Sequence, residues 1–185
     1  MEPAEVEVKF RCTDPEGIRN KLRSMHSEYV DTVEMLDIYL QHPCRDFQQS
    51  DEALRVRHIK STLTGQEDIE LTYKGPRKEG WAKTRVELVV KVDKLNELLL
   101  VLDKLGFKVV ARIAKHREFY LLEGVEVSLD KVEDLGNFVE IEDKGAGEHK
   151  IREVATKLGL QELVPETYLE LYLKRRLDSP SGQAS

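Results

Sequence analysis

The sequence has few of the features that would hold a fold together covalently or by metal. Cys12 and Cys44 are its only cysteines in 185 residues; they form no CxxC pair, and no histidine stands at ligand spacing. Neither a disulfide framework nor a structural zinc site is therefore expected. No apolar run is long enough to span a membrane, and the N-terminus shows no signal-peptide pattern. With a net charge of −6, which disfavours a general nucleic-acid binder, these absences predict a cytoplasmic protein without membrane or nucleic-acid partners.

Linkers and low-complexity blocks are also absent. We therefore expect one domain over residues 1–177, which is long enough to bury a sizeable core. Residues 178–185 read DSPSGQAS and lack large apolar side chains, so they are predicted to be a disordered tail.

Four segments carry helical apolar spacing and terminal signals. Asp14 and Asp93 are predicted N-caps, and Gly106 and Gly159 are predicted to end their helices. The last helix begins near Tyr168 and is placed to cover one open end of a barrel, if the strands form one. The predicted helices span residues 14–25, 93–105, 147–158 and 167–176.

What the sequence has in abundance is charge, at 35% of residues, and this charge recurs at every second position of predicted strands. Alternate side chains of a strand share one face. Near the N-terminus, Glu5, Glu7 and Lys9 thus share a face opposite three apolar residues. Similar alternation occurs in predicted strands at residues 53–59, 68–74, 82–90, 113–119 and 125–130, and at 140–142.

Two architectures are compatible with this alternation. One is an antiparallel sheet with a solvated face. The other is a barrel whose charged face points inward and whose apolar face packs against helices. Buried charges are costly unless they are paired or bind ions. A lumen with both signs of charge would suit a polyanion and a divalent cation, because phosphates meet the Lys and Arg and cations meet the carboxylates.

The charged motifs, in their order along the chain, resemble the CYTH superfamily of triphosphate tunnel metalloenzymes over roughly residues 5–173. Within that superfamily, residues 115–142 are most similar to the class IV adenylyl cyclase branch. The matching motifs are ExExK at residues 5–9, DIY at 37–39, LRVR at 54–57, LTYKGP at 71–76, RVE at 85–87, KHR at 115–117, LD at 129–130 and GNFVEIE at 136–142.

This resemblance implies an α+β fold: a closed eight-stranded antiparallel β-barrel, the triphosphate tunnel, with helices packed on the outside. It also implies a site for one or two Mg²⁺ or Mn²⁺ ions. The implied metal ligands are Glu5, Glu7, Asp130, Glu140 and Glu142. The implied substrate-binding residues are Lys9, Arg55, Arg57, Lys74, Arg85, Lys115 and Arg117, of which Lys9, Arg55, Arg57, Lys115 and Arg117 are also the predicted catalytic residues.

The resemblance implies a small-molecule triphosphate as substrate and leaves the reaction open. In a class IV adenylate cyclase, the 3′-hydroxyl of ATP attacks the α-phosphorus and pyrophosphate leaves. In a triphosphatase acting on inorganic or organic triphosphate, such as thiamine triphosphate, water attacks the terminal phosphorus. A non-catalytic polyphosphate or nucleotide binder is a third possibility. The resemblance to this branch also allows the protein to form a homodimer.

Overall fold

The computed structural model describes residues 4–78 and 80–178, which form eight strands and four helices. The strands are β1 (Ala4–Arg11), β2 (Glu28–Gln41), β3 (Ala53–Ser61), β4 (Glu67–Lys74), β5 (Lys83–Val92), β6 (Lys108–Leu122), β7 (Val125–Val132) and β8 (Gly136–Asp143). The helices are α1 (Pro15–Ser24), α2 (Leu95–Lys104), α3 (Glu148–Leu158) and α4 (Tyr168–Asp178).

The strands close into a barrel in the order β1-β5-β4-β3-β2-β6-β7-β8, and each neighbouring pair is antiparallel. Strand β1 closes the ring because it pairs with β5 on one side and β8 on the other. The predicted eight-stranded antiparallel barrel is thus confirmed.

The charged faces of the strands point into the barrel. Cross-strand partners in the register include Glu5 with Arg85, Asp37 with Arg57, and Lys9 with Glu140. The apolar faces pack outward, where α1 and α3 cover one side of the barrel and α2 covers another. The alternative of a sheet with a solvated charged face is therefore wrong.

The helix boundaries follow local signals, with one exception. The Asp14 Oδ1 atom accepts a hydrogen bond from the Gly17 amide at 2.9 Å, as expected for an N-cap. Gly159 ends α3 in the left-handed conformation, with φ 73°, which glycine adopts without steric cost. The predicted cap Asp93 is wrong, because Lys94 occupies the N-cap of α2 and makes no side-chain capping bond.

Helix α4 packs across one end of the barrel. Its first residue, Tyr168, is buried in an apolar cluster with Phe138, Val132 and Val164. The helix continues through Asp178, the first residue of the predicted disordered tail, and the rest of that tail lies outside the described residues. Within residues 4–78 and 80–178, no helix is both long and apolar enough to cross a membrane.

Candidate functional site

One cavity of about 1300 Å³ runs through the barrel and continues beneath α4. Its inner part is lined by the charged faces of the strands. Its outer part, the α4 groove, lies between α4 and the connection from β2 to β3. The groove is lined by apolar side chains, among them Leu40, Phe47, Leu169, Leu173 and Leu177, together with polar and charged ones from the same two segments.

The most deeply buried charges form a continuous chain of ion pairs, which we call the basic section. Two donors of the Arg57 guanidinium bind the two carboxylate oxygens of Asp37 at 2.5 and 2.7 Å. The Lys115 Nζ lies 3.7 Å from Asp37 Oδ2 and 3.9 Å from Asp130 Oδ2. Arg117 continues the chain, because its Nε donates to Asp130 Oδ1 at 2.6 Å. The members of the basic section are Lys9, Asp37, Arg57, Lys115, Arg117, Asp130 and Glu140.

Glu140 completes the basic section. Its carboxylate pairs with Arg117, and its Oε1 lies 3.8 Å from the Lys9 ammonium. Tyr168 covers this end, since its hydroxyl donates to Asp130 Oδ2 at 2.7 Å. The tyrosine ring centroid lies 4.0 Å from Lys9 Nζ and 5.0 Å from Lys115 Nζ, within range of a cation–π attraction.

Burial and pairing move the pKa values of the basic section in opposite directions. Burial alone would raise the pKa of Asp37 and Glu140, but neighbouring cations outweigh it and hold both pKa values well below the usual range. Burial also lowers the pKa of Lys9 to about 8 and that of Lys115 to about 7. The carboxylates therefore stay ionised, whereas the two lysines can lose a proton near neutral pH.

A second network lies on β1, β3, β4 and β5. The Lys74 Nζ bridges Glu5 Oε2 at 2.7 Å and Glu87 Oε2 at 2.6 Å. An Arg55 nitrogen, Nη2, lies 3.6 Å from Glu87 Oε1. Among the residues that the structure describes, the buried Nε atoms of Arg55 and Arg85 have no hydrogen-bond partner. Two buried guanidinium donors on the charged faces of the barrel are thus left without a partner within the described part of the protein.

A third set of charges, the carboxylate cluster, consists of Glu5, Glu7, Glu126 and Glu142. Glu142 lies between two other carboxylates in the sheet, because its Cα partners are Glu7 on β1 and Glu126 on β7. Burial raises the pKa of Glu142, and the nearby charges of Glu5 and Glu126 add to this effect. The Lys144 Nζ lies 2.8 Å from Glu142 Oε1 and 3.7 Å from Glu126 Oε2.

The carboxylate cluster suits a hard divalent cation in the chemistry of its donors, since Mg²⁺ and Mn²⁺ prefer oxygen ligands. Within the described part of the chain, however, no three acidic, histidine or cysteine side chains are arranged as a ready metal site. Lysines hold several of these carboxylates instead: Lys74 pairs with Glu5, and Lys144 pairs with Glu142 and Glu126. The carboxylate oxygens of the cluster could bind a metal ion if the ammonium groups of Lys74 and Lys144 moved away from them.

The five predicted metal ligands fall into two groups. Glu5, Glu7 and Glu142 lie in the carboxylate cluster. Asp130 and Glu140 lie in the basic section, where Arg117 contacts both carboxylates and Tyr168 also binds Asp130. The structure thus groups Asp130 and Glu140 around Arg117, separately from the three predicted ligands of the carboxylate cluster. The predicted substrate-binding residues all face the lumen: Lys9, Arg55, Arg57, Lys74, Arg85, Lys115 and Arg117.

Glu126 and Lys144 line the cavity but were absent from the predicted site. Glu126 had a signal in the sequence, because it alternates with Ser128 and Asp130 on the charged face of β7. Lys144 follows Glu140 and Glu142 at the same two-residue spacing but stands just beyond the end of β8. Only the fold shows that its side chain returns to the carboxylates.

Comparison with known proteins agrees with this geometry. The family model of the CYTH domain matches residues 3–168. A Methanocaldococcus jannaschii protein named "Putative adenylate cyclase" is 33% identical over 176 residues, which cover 90% of this chain and 97% of that protein.

Solved structures show the same barrel. A protein from Pyrococcus horikoshii OT3 superposes with a TM-score of 0.85 at 38% identity, covering 93% of this chain and 99% of its own. A Hippeastrum protein superposes with a TM-score of 0.67 at 16% identity, covering 92% of this chain and 96% of its own. Its name joins "adenylyl cyclase" with "a dominant triphosphatase activity" in one molecule.

Proposed function

Because the chain belongs to the CYTH family, we propose that it is a metal-dependent enzyme acting on triphosphates, with ATP converted to cyclic AMP and pyrophosphate as its reaction. The observation that carries the proposal is the tunnel itself. The seven Lys and Arg side chains of the predicted set face a lumen that also holds a partly exposed carboxylate cluster. Phosphoryl and nucleotidyl transfer depend mainly on positioning and charge neutralisation, and this arrangement of charges supports both.

The cationic side chains would bind and align the phosphates. Arg55 and Arg85 provide unpaired Nε–H groups inside the lumen, and guanidinium groups suit bidentate phosphate contacts. Lys9 and Lys115 add charge from the buried end, beneath Tyr168. The negative charge that develops on the leaving phosphate oxygens would thus meet fixed donors in a partly desolvated site.

The carboxylate cluster would hold Mg²⁺ or Mn²⁺, with Glu5, Glu7 and Glu142 from the predicted set and Glu126 beside them. When bound, such an ion neutralises phosphate oxygens and lowers the pKa of a coordinated hydroxyl. Asp130 and Glu140 have a different task in this proposal. They pair with the Nε and Nη2 atoms of Arg117 and so fix its guanidinium in one orientation.

The α4 groove favours a nucleotide over inorganic triphosphate. The groove extends the charged tunnel with an apolar surface that includes Phe47, Leu169 and Leu173. Apolar and aromatic surfaces suit a nucleobase, whereas inorganic triphosphate would contact only the charged section. The name of the M. jannaschii relative agrees with a cyclase.

Triphosphate hydrolysis is the second candidate. Its support is that the charged inner part of the cavity could hold three phosphates without a nucleobase in the α4 groove. The Hippeastrum protein, which shares the fold, carries a triphosphatase activity in its name. A non-catalytic binder would use the same cations without turnover.

A product assay separates the three candidates. The purified protein is incubated with ATP and, separately, with inorganic triphosphate, each with Mg²⁺, with Mn²⁺ or with excess chelator. We expect cyclic AMP and pyrophosphate from ATP, lost in chelator. Orthophosphate without cyclic AMP would establish the triphosphatase instead. Binding without turnover in any condition would contradict both enzymatic proposals.

A further inference from the structure

The barrel contains a second Glu-x-Glu-x-Lys run in addition to that of β1. Residues 140–144 read EIEDK and follow the same spacing as EVEVK at 5–9. The two runs lie side by side and antiparallel, with Glu7 opposite Glu142 and Lys9 opposite Glu140. Continuing this register by two residues brings Lys144 level with Glu5, and the two charges interact. The lysines therefore lie at opposite ends of the paired runs.

The two lysines differ in their surroundings. The Lys9 side chain is 2% exposed and lies 3.8 Å from Glu140 in the basic section. The Lys144 side chain is 38% exposed, and its ammonium contacts Glu142 and Glu126 of the carboxylate cluster. Within the described residues, no other cation lies within ion-pair distance of these two carboxylates. Lys144 therefore provides positive charge at the position where a divalent cation would bind.

The backbone at Lys144 is fixed, whereas its side chain has room to move. The Lys144 amide donates to the Gly124 carbonyl at 2.9 Å. The next loop is held by Asp143 Oδ1, which accepts hydrogen bonds from the amides of Gly145, Ala146 and Gly147 at 2.8 to 3.0 Å. Displacement of the ammonium would therefore require only side-chain rotation, without rearrangement of the loop.

We propose that Lys144 is a tethered counter-ion that competes with the divalent cation for Glu142 and Glu126. This inference rests on the proposed function. Without metal, the ammonium offsets the repulsion between neighbouring carboxylates. Glu142 and Glu126 would hold a divalent cation only after the Lys144 ammonium rotates away from their oxygens. Lys144 thus makes metal binding weaker than the carboxylates alone would allow.

The test is the affinity of the full-length protein for Mn²⁺ alone, measured by titration calorimetry and by the loss of the free-ion EPR signal. Lys144→Met removes the competing charge, so Mn²⁺ should bind roughly three- to tenfold more tightly, as expected for a partly exposed ion pair. Lys144→Arg keeps the charge and should stay within about twofold of wild type on the same grounds.

Lys150→Met is the matched control for net charge. This lysine also pairs with two glutamates, Glu123 and Glu153, but lies on α3 outside the tunnel. It should leave Mn²⁺ affinity within about twofold of wild type. Lys144→Gln repeats the test with a polar side chain, in case the methionine variant folds poorly.

The outcomes separate this inference from the function on which it rests. If wild type binds Mn²⁺ but Lys144→Met and Lys144→Gln bind it equally or more weakly, the counter-ion role is wrong and the metal site stands. If both neutral variants and Lys150→Met gain the same affinity, the effect is one of net charge and the role is also wrong. If wild type binds no Mn²⁺, the proposed metal site and this inference both fail.

Discussion

Two residues on β8 show how the electrostatic environment of the basic section differs from that of the carboxylate cluster. Glu140 and Glu142 are separated by one residue and face the same lumen, yet their pKa values move in opposite directions. Both side chains are at least partly buried, and burial alone raises the pKa of each. Around Glu140, Arg117 and Lys9 outweigh that effect, whereas the carboxylates near Glu142 add to it and Lys144 only partly offsets them.

The difference identifies which charges are already paired with other groups of the protein. In the basic section, every carboxylate already has a cation at close range, as buried charges require. In the carboxylate cluster, negative charge is in excess: burial raises the pKa of Glu142 most, and the neighbouring carboxylates Glu5 and Glu126 raise it further. A bound cation would therefore stabilise the cluster more than it would stabilise the basic section, where it would have to displace fixed guanidinium groups.

The strongest test of this contrast removes charge from the cluster. The double variant Glu5→Gln with Glu7→Gln should lose divalent-dependent turnover by at least about 100-fold, because the carboxylate ligands are lost while side-chain volume is kept. Turnover is measured at saturating metal, with circular dichroism to confirm the fold. The control Glu28→Gln with Glu34→Gln removes two exposed carboxylates of β2 and should keep wild-type turnover. Full activity in the tunnel variant would refute the cluster as the metal site.

The next test removes a cation that faces the lumen. Arg55→Ala should weaken binding of a non-hydrolysable triphosphate roughly tenfold, since a buried charge-assisted contact is lost. Arg112→Ala removes the same charge from an exposed position on β6 and serves as the control. Titration calorimetry without metal measures both affinities. Equal affinities in the two variants would show that the tunnel cations do not bind the phosphates.

The pKa of about 7 at Lys115 predicts a dependence on pH. Below that pH the ammonium is charged and attracts phosphate; above it, binding must also take up a proton. Metal-free triphosphate affinity should therefore fall severalfold between pH 7 and 9, a range in which Lys9 also loses its proton, by at most tenfold per pH unit for each coupled proton. Lys115→Met should show a flatter profile in the same calorimetric titration. Identical slopes in both proteins would assign the pH dependence to another group.

The contrast between the two sections also marks what the sequence could predict. Alternation predicted that each strand has one charged face, because a period of two residues is a property of the single strand, and an inward orientation of that face was one of two compatible architectures. Whether Asp130 joined Glu142 or Arg117 could not be deduced in this way. Side-chain partners depend on cross-strand register, and Asp130 faces Arg117 on β6 through that register. The motif at 140–144 was visible in the sequence, but its relation to 5–9 depends on β1 lying beside β8.

The sequence signals for helix ends also predicted only part of what the structure shows. Asp14 caps α1 through its own side chain, which is a local interaction and therefore predictable. Asp93 has the same residue type but does not cap α2, which begins one residue later, after Lys94. The α4 groove was beyond sequence analysis for another reason. It forms between α4 and the β2–β3 connection, two segments that are more than 100 residues apart.

The smallest expected effect concerns how the basic section is held in place. Tyr168→Phe removes the buried hydrogen bond to Asp130 and retains the ring that covers Lys9 and Lys115. We expect the free energy of unfolding to fall by about 1–2 kcal/mol, because Asp130 loses a donor where water does not replace it easily. Urea unfolding measures the change. The control Tyr172→Phe alters a half-buried hydroxyl of the same helix that accepts only a 3.3 Å bond from Arg176, so its change should stay within about 0.5 kcal/mol. Equal stabilities of the two variants would mean that the Tyr168 hydroxyl does not stabilise the basic section. The ion pairs would then stabilise it without a contribution from this hydrogen bond of α4.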